Sequence, residues 1–128
     1  MSEMNESEMN EKGTRTRRAV LGDAHVDRSR DNRTPFDAPF QDMITESAWG
    51  RVWSREVEGW DHRQRSLVTL SILAALGRED ELRLHLRATR NTGASAEDVR
   101  EALMHVAIYA GVPAANTAFR IAKEELEA

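Results

Sequence analysis

The chain contains no cysteine. That absence removes disulfides, thiolate zinc sites, thiol nucleophiles and Cys-x-x-Cys redox pairs in one step. No run of ~18 apolar residues occurs, so membrane insertion is not expected. The N-terminus lacks the basic-then-apolar profile of a secretory signal, which makes the cytoplasm the expected compartment. Lysine is nearly missing as well, with two Lys against 16 Arg. The formal charge is −4, and most of it lies in the first twelve residues, where Glu3, Glu6, Glu8 and Glu11 face a lone Lys12. The remaining body is close to neutral, a poor match to the net basic face that nucleic-acid binding requires. What is present is 40% hydrophobic residues in 128, enough for one soluble domain with a modest core. The arginine excess points to carboxylates, which a planar guanidinium grips in two-pronged fashion.

Residues 1–13 carry a tandem SEMNE repeat (Ser2–Glu6, Ser7–Glu11) without a useful apolar stripe and are expected to form a disordered acidic tail. Residues 14–128 are expected to form the folded domain. A short helix over Thr14–Leu21 ends at Gly22, and the mixed-charge stretch Asp23–Thr34 reads as a long surface loop or an arm. Asp37 and Pro39 open a helix through Phe40, Met43, Ile44 and Ala48, and Gly50 to Trp60 reads as a turn anchored by Trp49, Trp53 and Trp60. Asp61 with Gln64 resembles a capping box for a helix through Leu76, closed by Gly77. Further helices are expected from about Arg78 to Asn91, stopped at Gly93; from Ser95 with Asp98 through Ala110, ended by Gly111; and from Pro113 to Glu127. The charge-free run Leu67–Leu76 reads as a helix buried on nearly all sides. A chain this small needs a partner subunit to cover such a helix, so the expectation is an all-α bundle of about six helices that assembles as a homo-oligomer.

Several side chains could carry chemistry. Glu81 and His85, four apart on one helix face, form a usable acid–base pair, although an ordinary surface pair has the same spacing. Arg78 lies one turn before Glu81. Arg83, Arg87 and Arg90 form a stripe on another face, read as solvated, with Glu79 pairing to Arg83. Arg65, at the mouth of the apolar helix, is either a snorkelling side chain or a fixed cation in a pocket. Glu101, His105 and Tyr109 repeat the four-residue spacing and read as a polar seam inside the bundle or as pocket lining. A metal site is not expected, since carboxylate-bridged bundle sites prefer a spacing of three and more carboxylates. The three tryptophans read as core or interface anchors more readily than as walls of an active site.

The segments GDAHVDR (Gly22–Arg28), TPFDAPFQDMITESAWGRVW (Thr34–Trp53), RSLVTLSILAALGREDELRLHLRATRNTG (Arg65–Gly93) and HVAIYAGVPAANTAF (His105–Phe119) closely resemble the carboxymuconolactone decarboxylase family. The resemblance spans Arg15 to the C-terminus and leaves out the repeat. It implies an AhpD-like helical bundle. With His85 as the shared histidine, the two cysteine positions of AhpD-like peroxidases fall on Arg78 and Glu81, so thiol redox chemistry is gone. The implied activity is cofactor-free decarboxylation of 4-carboxymuconolactone, a small lactone dicarboxylate, to β-ketoadipate enol-lactone and CO2 in protocatechuate catabolism. The implied assembly is a cytoplasmic homo-oligomer, commonly a hexamer. No metal, nucleic acid or membrane is implied. Under this resemblance His85, held by Glu81, is the candidate proton donor. Arg65 and Arg78 are interchangeable candidates for carboxylate binding or oxyanion stabilisation, and His105, Tyr109 and Asn116 are candidates for lining the pocket. Rival readings are a fold relative of different or no activity and a purely structural oligomer.

Overall fold

Asn5 opens the first helix inside the segment expected to be a disordered tail. In a computed structural model, which describes residues 4–126, α1 runs Glu6–Leu21. Residues 1–3 of the expected tail, and Glu127 at the expected end of the last helix, lie outside the described residues. The Asn5 side chain accepts from the Glu8 backbone N–H at 2.8 Å, and Glu6 and Glu8 sit in the first turn. The repeat's negative charge therefore lies at the positive end of a helix dipole, where it stabilises the helix. The chain divides into two compact units, Met1–Glu58 and Gly59–Ala128.

In the first unit α1 packs against a π-helical segment, Thr45–Trp53, that continues directly from α3, Ala38–Ile44. The expected turn at Gly50 and Trp53 is thus helical, and the irregular chain begins at Ser54. The wider π winding brings Trp49 and Trp53, both buried, into a stack with ring centroids 5.1 Å apart. The Ser54 hydroxyl donates to the carbonyl of Trp49 at 2.5 Å, occupying an acceptor at the end of the ladder. Asp37 precedes α3, but its carboxylate accepts from the Thr34 N–H at 2.8 Å, so it closes the preceding turn and does not cap the helix. The stretch expected to be a loop contains α2, Asp23–Asp31. Its charges suit a helix, with Asp23 in the first turn and Arg28 and Arg30 in the last. Arg18 of α1 clasps Asp23 at 3.0 Å and Asp27 at 2.8 Å across the corner at Gly22.

The second unit consists of four helices: α4 (His62–Leu76), α5 (Glu79–Thr92), α6 (Ala96–Tyr109) and α7 (Val112–Leu126). Asp61 caps α4 by accepting from the Gln64 N–H at 3.0 Å. Gly77, with φ 72, ends it in a left-handed turn in which the Gly77 N–H reaches Ala74 O at 3.2 Å and the Arg78 N–H reaches Leu73 O at 2.9 Å. Ser95 and Asp98 exchange reciprocal bonds of 2.9 and 3.0 Å at the start of α6, the capping box expected there. Arg63 of α4 then grips the Asp98 carboxylate with two bonds of 2.8 and 2.5 Å. The core joins Leu70 and Ala74 with Leu82, Leu86, Leu103 and Ile121, and each fully buried Leu or Ile contributes about 1.5–3 kcal/mol.

Among the described residues every regular element is helical, with seven α-helices where about six were expected and no strand. None of these helices is long and apolar enough to cross a membrane. Within one chain, however, α4 is not buried on nearly all sides. Ser66, Leu70 and Ala74 are buried, whereas Val68, Ile72 and Leu76 are 46, 52 and 62% exposed. The exposed three recur every four residues, so they form a single apolar stripe on the outer side of the helix.

Candidate active site

The first two turns of α5 gather three of the expected residues. Arg78 sits at the α4–α5 corner, immediately before α5, where the left-handed Gly77 turns the chain. Glu81 follows in the first turn and is exposed. His85, one turn further on, is buried at 8% exposure, on a helix that also buries Leu82, Leu86, Ala88 and Thr89. The spacing of four puts Glu81 and His85 on one face of α5, with the carboxylate toward solvent and the imidazole toward the core. At this exposure the imidazole is shielded from bulk water.

Arg78, like Arg90, holds no carboxylate among the described residues, whereas Arg63, Arg83, Arg87, Arg100 and Arg120 all do so within this unit. Arg78 lines a small cavity of about 80 Å³ together with Leu73, Leu82 and, from α7, Ala114 and Thr117. Glu79, which faces Arg120 at 3.7 Å, also lines the cavity, so the exposed Arg78 guanidinium offers a grip for an incoming carboxylate at a notch of mixed polarity.

The other expected residues lie elsewhere. Arg65 is in the first turn of α4, half-buried, with its guanidinium carbon 5.8 Å from the centre of the Trp60 ring. The helix rise between Arg65 and Leu76 is roughly 16 Å, so Arg65 and Arg78 stand at opposite ends of α4. His105 and Tyr109 stack with centroids 6.4 Å apart, but both are exposed, and Glu101 turns to Arg100 at 3.4 Å. They are an outer face of α6 and not the polar seam expected inside the bundle. Asn116 is exposed on α7, next to the cavity-lining Thr117.

Of the three tryptophans, Trp49 and Trp53 are core residues of the first unit, and Trp60 is 47% exposed beneath Arg65. The expected Glu79–Arg83 pair is replaced. Arg83 binds Glu124 and Glu125 of α7 at 2.8 Å each, and Glu79 faces Arg120 at 3.7 Å. Tertiary partners with short, well-aligned bonds displace a weak pair along one helix.

Two residues at these places were not anticipated. Thr117 lines the cavity beside Arg78, and its only sequence signal was its place one turn after Pro113. Ser66, next to Arg65, is fully buried, and its hydroxyl has no hydrogen-bond partner among the described residues. Its signal was a hydroxyl at the edge of a charge-free run. Among the described residues no three His, Asp or Glu side chains are grouped as metal ligands would be.

Residues 38–124 match the Carboxymuconolactone decarboxylase family. The chain belongs to that family. Among its relatives, a protein named 4-carboxymuconolactone decarboxylase from Acinetobacter baylyi is 46% identical over 121 residues, covering 94% of this chain and 89% of its own. A protein of Metarhizium robertsii named nitrosuccinic acid decarboxylase npaB is 39% identical over 116 residues, covering 91% of this chain and 80% of its own. A 4-carboxymuconolactone decarboxylase sequence from Pseudomonas putida is 49% identical over 47 residues, which are 37% of this chain and 98% of that one. The carboxymuconolactone decarboxylase match spans all of α3 to α6 and most of α7, and so contains Arg65, Arg78, Glu81, His85 and Asn116.

Proposed function

We propose that the protein decarboxylates 4-carboxymuconolactone to β-ketoadipate enol-lactone without a cofactor, in the breakdown of protocatechuate. The observation that carries this reading is the 46% identity, over 94% of the chain, to a protein of that name. In this substrate the departing carboxylate sits on a ring carbon conjugated to the lactone carbonyl. The electrons left by CO2 spread to that carbonyl oxygen as a 2-oxyfuran anion, so the substrate supplies its own electron sink. The protein needs a cation for the retained carboxylate, a water-poor place for the reacting one and an acid to protonate the ring.

His85 is the proton donor in this reading, supported by its burial, and Glu81 orients the ring from one turn earlier. Arg78 takes the retained carboxylate at the α4–α5 corner. Arg65, roughly 16 Å along α4 from the Arg78 end, reaches the oxyanion or the second carboxylate of so small a substrate only where a second copy of the chain presents it. Asn116, next to the cavity-lining Thr117, borders the pocket, whereas His105 and Tyr109, on the outer face of α6, line it only where copies of the chain meet. The exposed Val68, Ile72 and Leu76 support a homo-oligomer, commonly a hexamer in the family pattern, in which a second copy covers the outer stripe of α4. Purified protein is expected to consume the lactone and release one CO2 per molecule, with activity that survives exhaustive chelation.

A second substrate is favoured by the 39% identity to nitrosuccinic acid decarboxylase. A nitro group beside a leaving carboxylate is also an internal electron sink, and nitrosuccinate is also a dicarboxylate. Parallel kcat/KM measurements on the two acids decide between them.

A further inference from the structure

A second cavity of the four-helix unit shares no lining residue with the one at Arg78. It lies between α6 and α7, measures about 270 Å³, and takes Val99, Arg100 and Leu103 from α6 and Phe119, Ala122 and Lys123 from α7. The Arg78 cavity uses Ala114, Thr117 and Ala118 of α7, so the two hollows lie on different faces of that helix. The floor of this second cavity is core. Val99, Leu103 and Ala122 are buried, and Phe119 packs against the core cluster from its edge.

The rim is charged, with Arg100 and Lys123 as cations against one carboxylate, Glu97. Arg100 reaches Glu97 at 3.7 Å and Glu101 at 3.4 Å, contacts between exposed side chains that hold it only weakly. Lys123, one of two lysines in the chain, is exposed and makes no ion pair among the described residues. The glutamates that follow it on α7 are held elsewhere, Glu124 by Arg83 and Arg120, and Glu125 by Arg83 and Arg87. An unpaired ammonium thus stands at the edge of an apolar floor, under a rim with more positive than negative charge. A compact dicarboxylate gains nothing from such a floor. A monocarboxylate with an apolar body buries that body on Phe119 and Leu103 and leaves its charge at the rim.

We propose that this cavity binds a monocarboxylate with an apolar body, its carboxylate between Lys123 and Arg100 and its body against Phe119. The proposal does not rest on the reaction at Arg78.

The probes are 2-naphthoate, an aromatic acid, and octanoate, an aliphatic one, titrated calorimetrically into the full chain with succinate as the dicarboxylate control. At least one of the two monocarboxylates is expected to bind and to raise the melting temperature, and the tighter one shows whether the site prefers a flat or a linear body. Lys123→Gln is expected to weaken that binding roughly tenfold, because a charge-assisted contact is lost. Ala96→Phe adds bulk at an exposed residue of the cavity wall and is expected to weaken it as well. Lys123→Gln, at an exposed position, carries the test if Ala96→Phe fails to fold. Arg78→Ala should bind the monocarboxylate as wild type does. Failure of both acids to bind wild type, or binding unchanged in both Lys123→Gln and Ala96→Phe, would overturn the proposal. So would succinate binding as tightly as the better probe, since charge alone would then account for it, or binding lost in Arg78→Ala, which would place the probe in the other cavity. A lower sedimenting mass for Ala96→Phe would assign the groove to a second copy instead.

Discussion

A Cβ placed on Gly13 of α1 would stand 2.1 Å from the carbonyl oxygen of Thr45 and 3.0 Å from the Gly50 nitrogen. At this crossing the two backbones meet with no room for a side chain. Gly13→Ala is expected to destabilise the protein by about 1–3 kcal/mol or more, because the obstacle is backbone and cannot rotate away. Glu11→Ala, exposed on the same helix, should stay within about 0.5 kcal/mol of wild type. Thermal denaturation of the two variants is the measurement, and equal midpoints would show that the crossing gives way freely.

The second prediction concerns acid. Arg63, foremost, and the Ser95 N–H hold the Asp98 carboxyl well below the usual carboxylate range. In the unfolded chain the same group titrates near ~3.9. Its contribution is therefore fully present above that value and is lost as the pH falls toward the lower folded pKa. Glu125, lowered by Arg87 and then Arg83, adds the same sign. Asp98→Asn should melt below wild type at pH 7, and the gap should narrow steadily between pH 5 and pH 2. A gap that stays constant over that range would remove the linkage.

The same local devices explain which parts of the fold could be read from the sequence. Asp61, Gly77, Gly93, the Ser95–Asp98 box and the Gly111–Pro113 pair bound α4 to α7 almost to the residue, because each acts on its own helix end. In the first unit Gly22 marked the end of α1 and Pro39 the start of α3, but nothing of that kind marked the start of α1 or the course of the π segment. α1 is held by dipole-matched acids, an asparagine cap and a glycine contact, none of which produces an apolar stripe. The π winding that stacks Trp49 on Trp53 departs from the 3.6-residue period that a search for periodicity assumes. At the candidate site the Glu81–His85 spacing was legible. The burial of His85 and the separation of Arg65 from Arg78 depend on which helices pack together, and a single sequence does not state that.

Arg78→Ala is expected to raise KM for a dicarboxylate substrate, with a smaller change in kcat, since a retained carboxylate is held equally in ground and transition states. Arg78→Lys should recover only part of the loss, because the ammonium cannot form the two-pronged grip. Arg65→Ala should act differently, lowering kcat if its charge meets a developing oxyanion. Matching losses in KM from both arginines would place them in one binding role.

The exposed stripe on α4 gives a prediction about assembly. Ile72 is 52% exposed in one chain, so an isolated chain should accept Ile72→Glu with little loss of stability. Buried against a second copy, the same carboxylate would be desolvated and would drive the copies apart. Sedimentation equilibrium is expected to show a folded species of lower mass for Ile72→Glu than for wild type. Identical masses would mean that the stripe lies outside any interface.

His85 provides the sharpest division between chemistry and packing. If it protonates the ring anion, His85→Ala should lower kcat by ~10²- to 10⁴-fold, the usual worth of a positioned general acid, with little change in substrate affinity. Glu81→Gln should cost less, because the amide, one turn earlier on the same helix face, can still orient the ring. His85 is also a core residue at 8% exposure, so the alanine variant is expected to melt lower in either case. The decisive quantity is therefore turnover per folded molecule, measured below the melting range on the sample used for denaturation. His85→Gln retains more of the side chain's bulk and a hydrogen-bonding amide, yet it cannot deliver a proton near neutral pH. Activity that collapses in both variants, with stability largely recovered in the glutamine one, assigns the proton to His85. A destabilised but active His85→Ala enzyme would leave the histidine to packing and pass the proton to water.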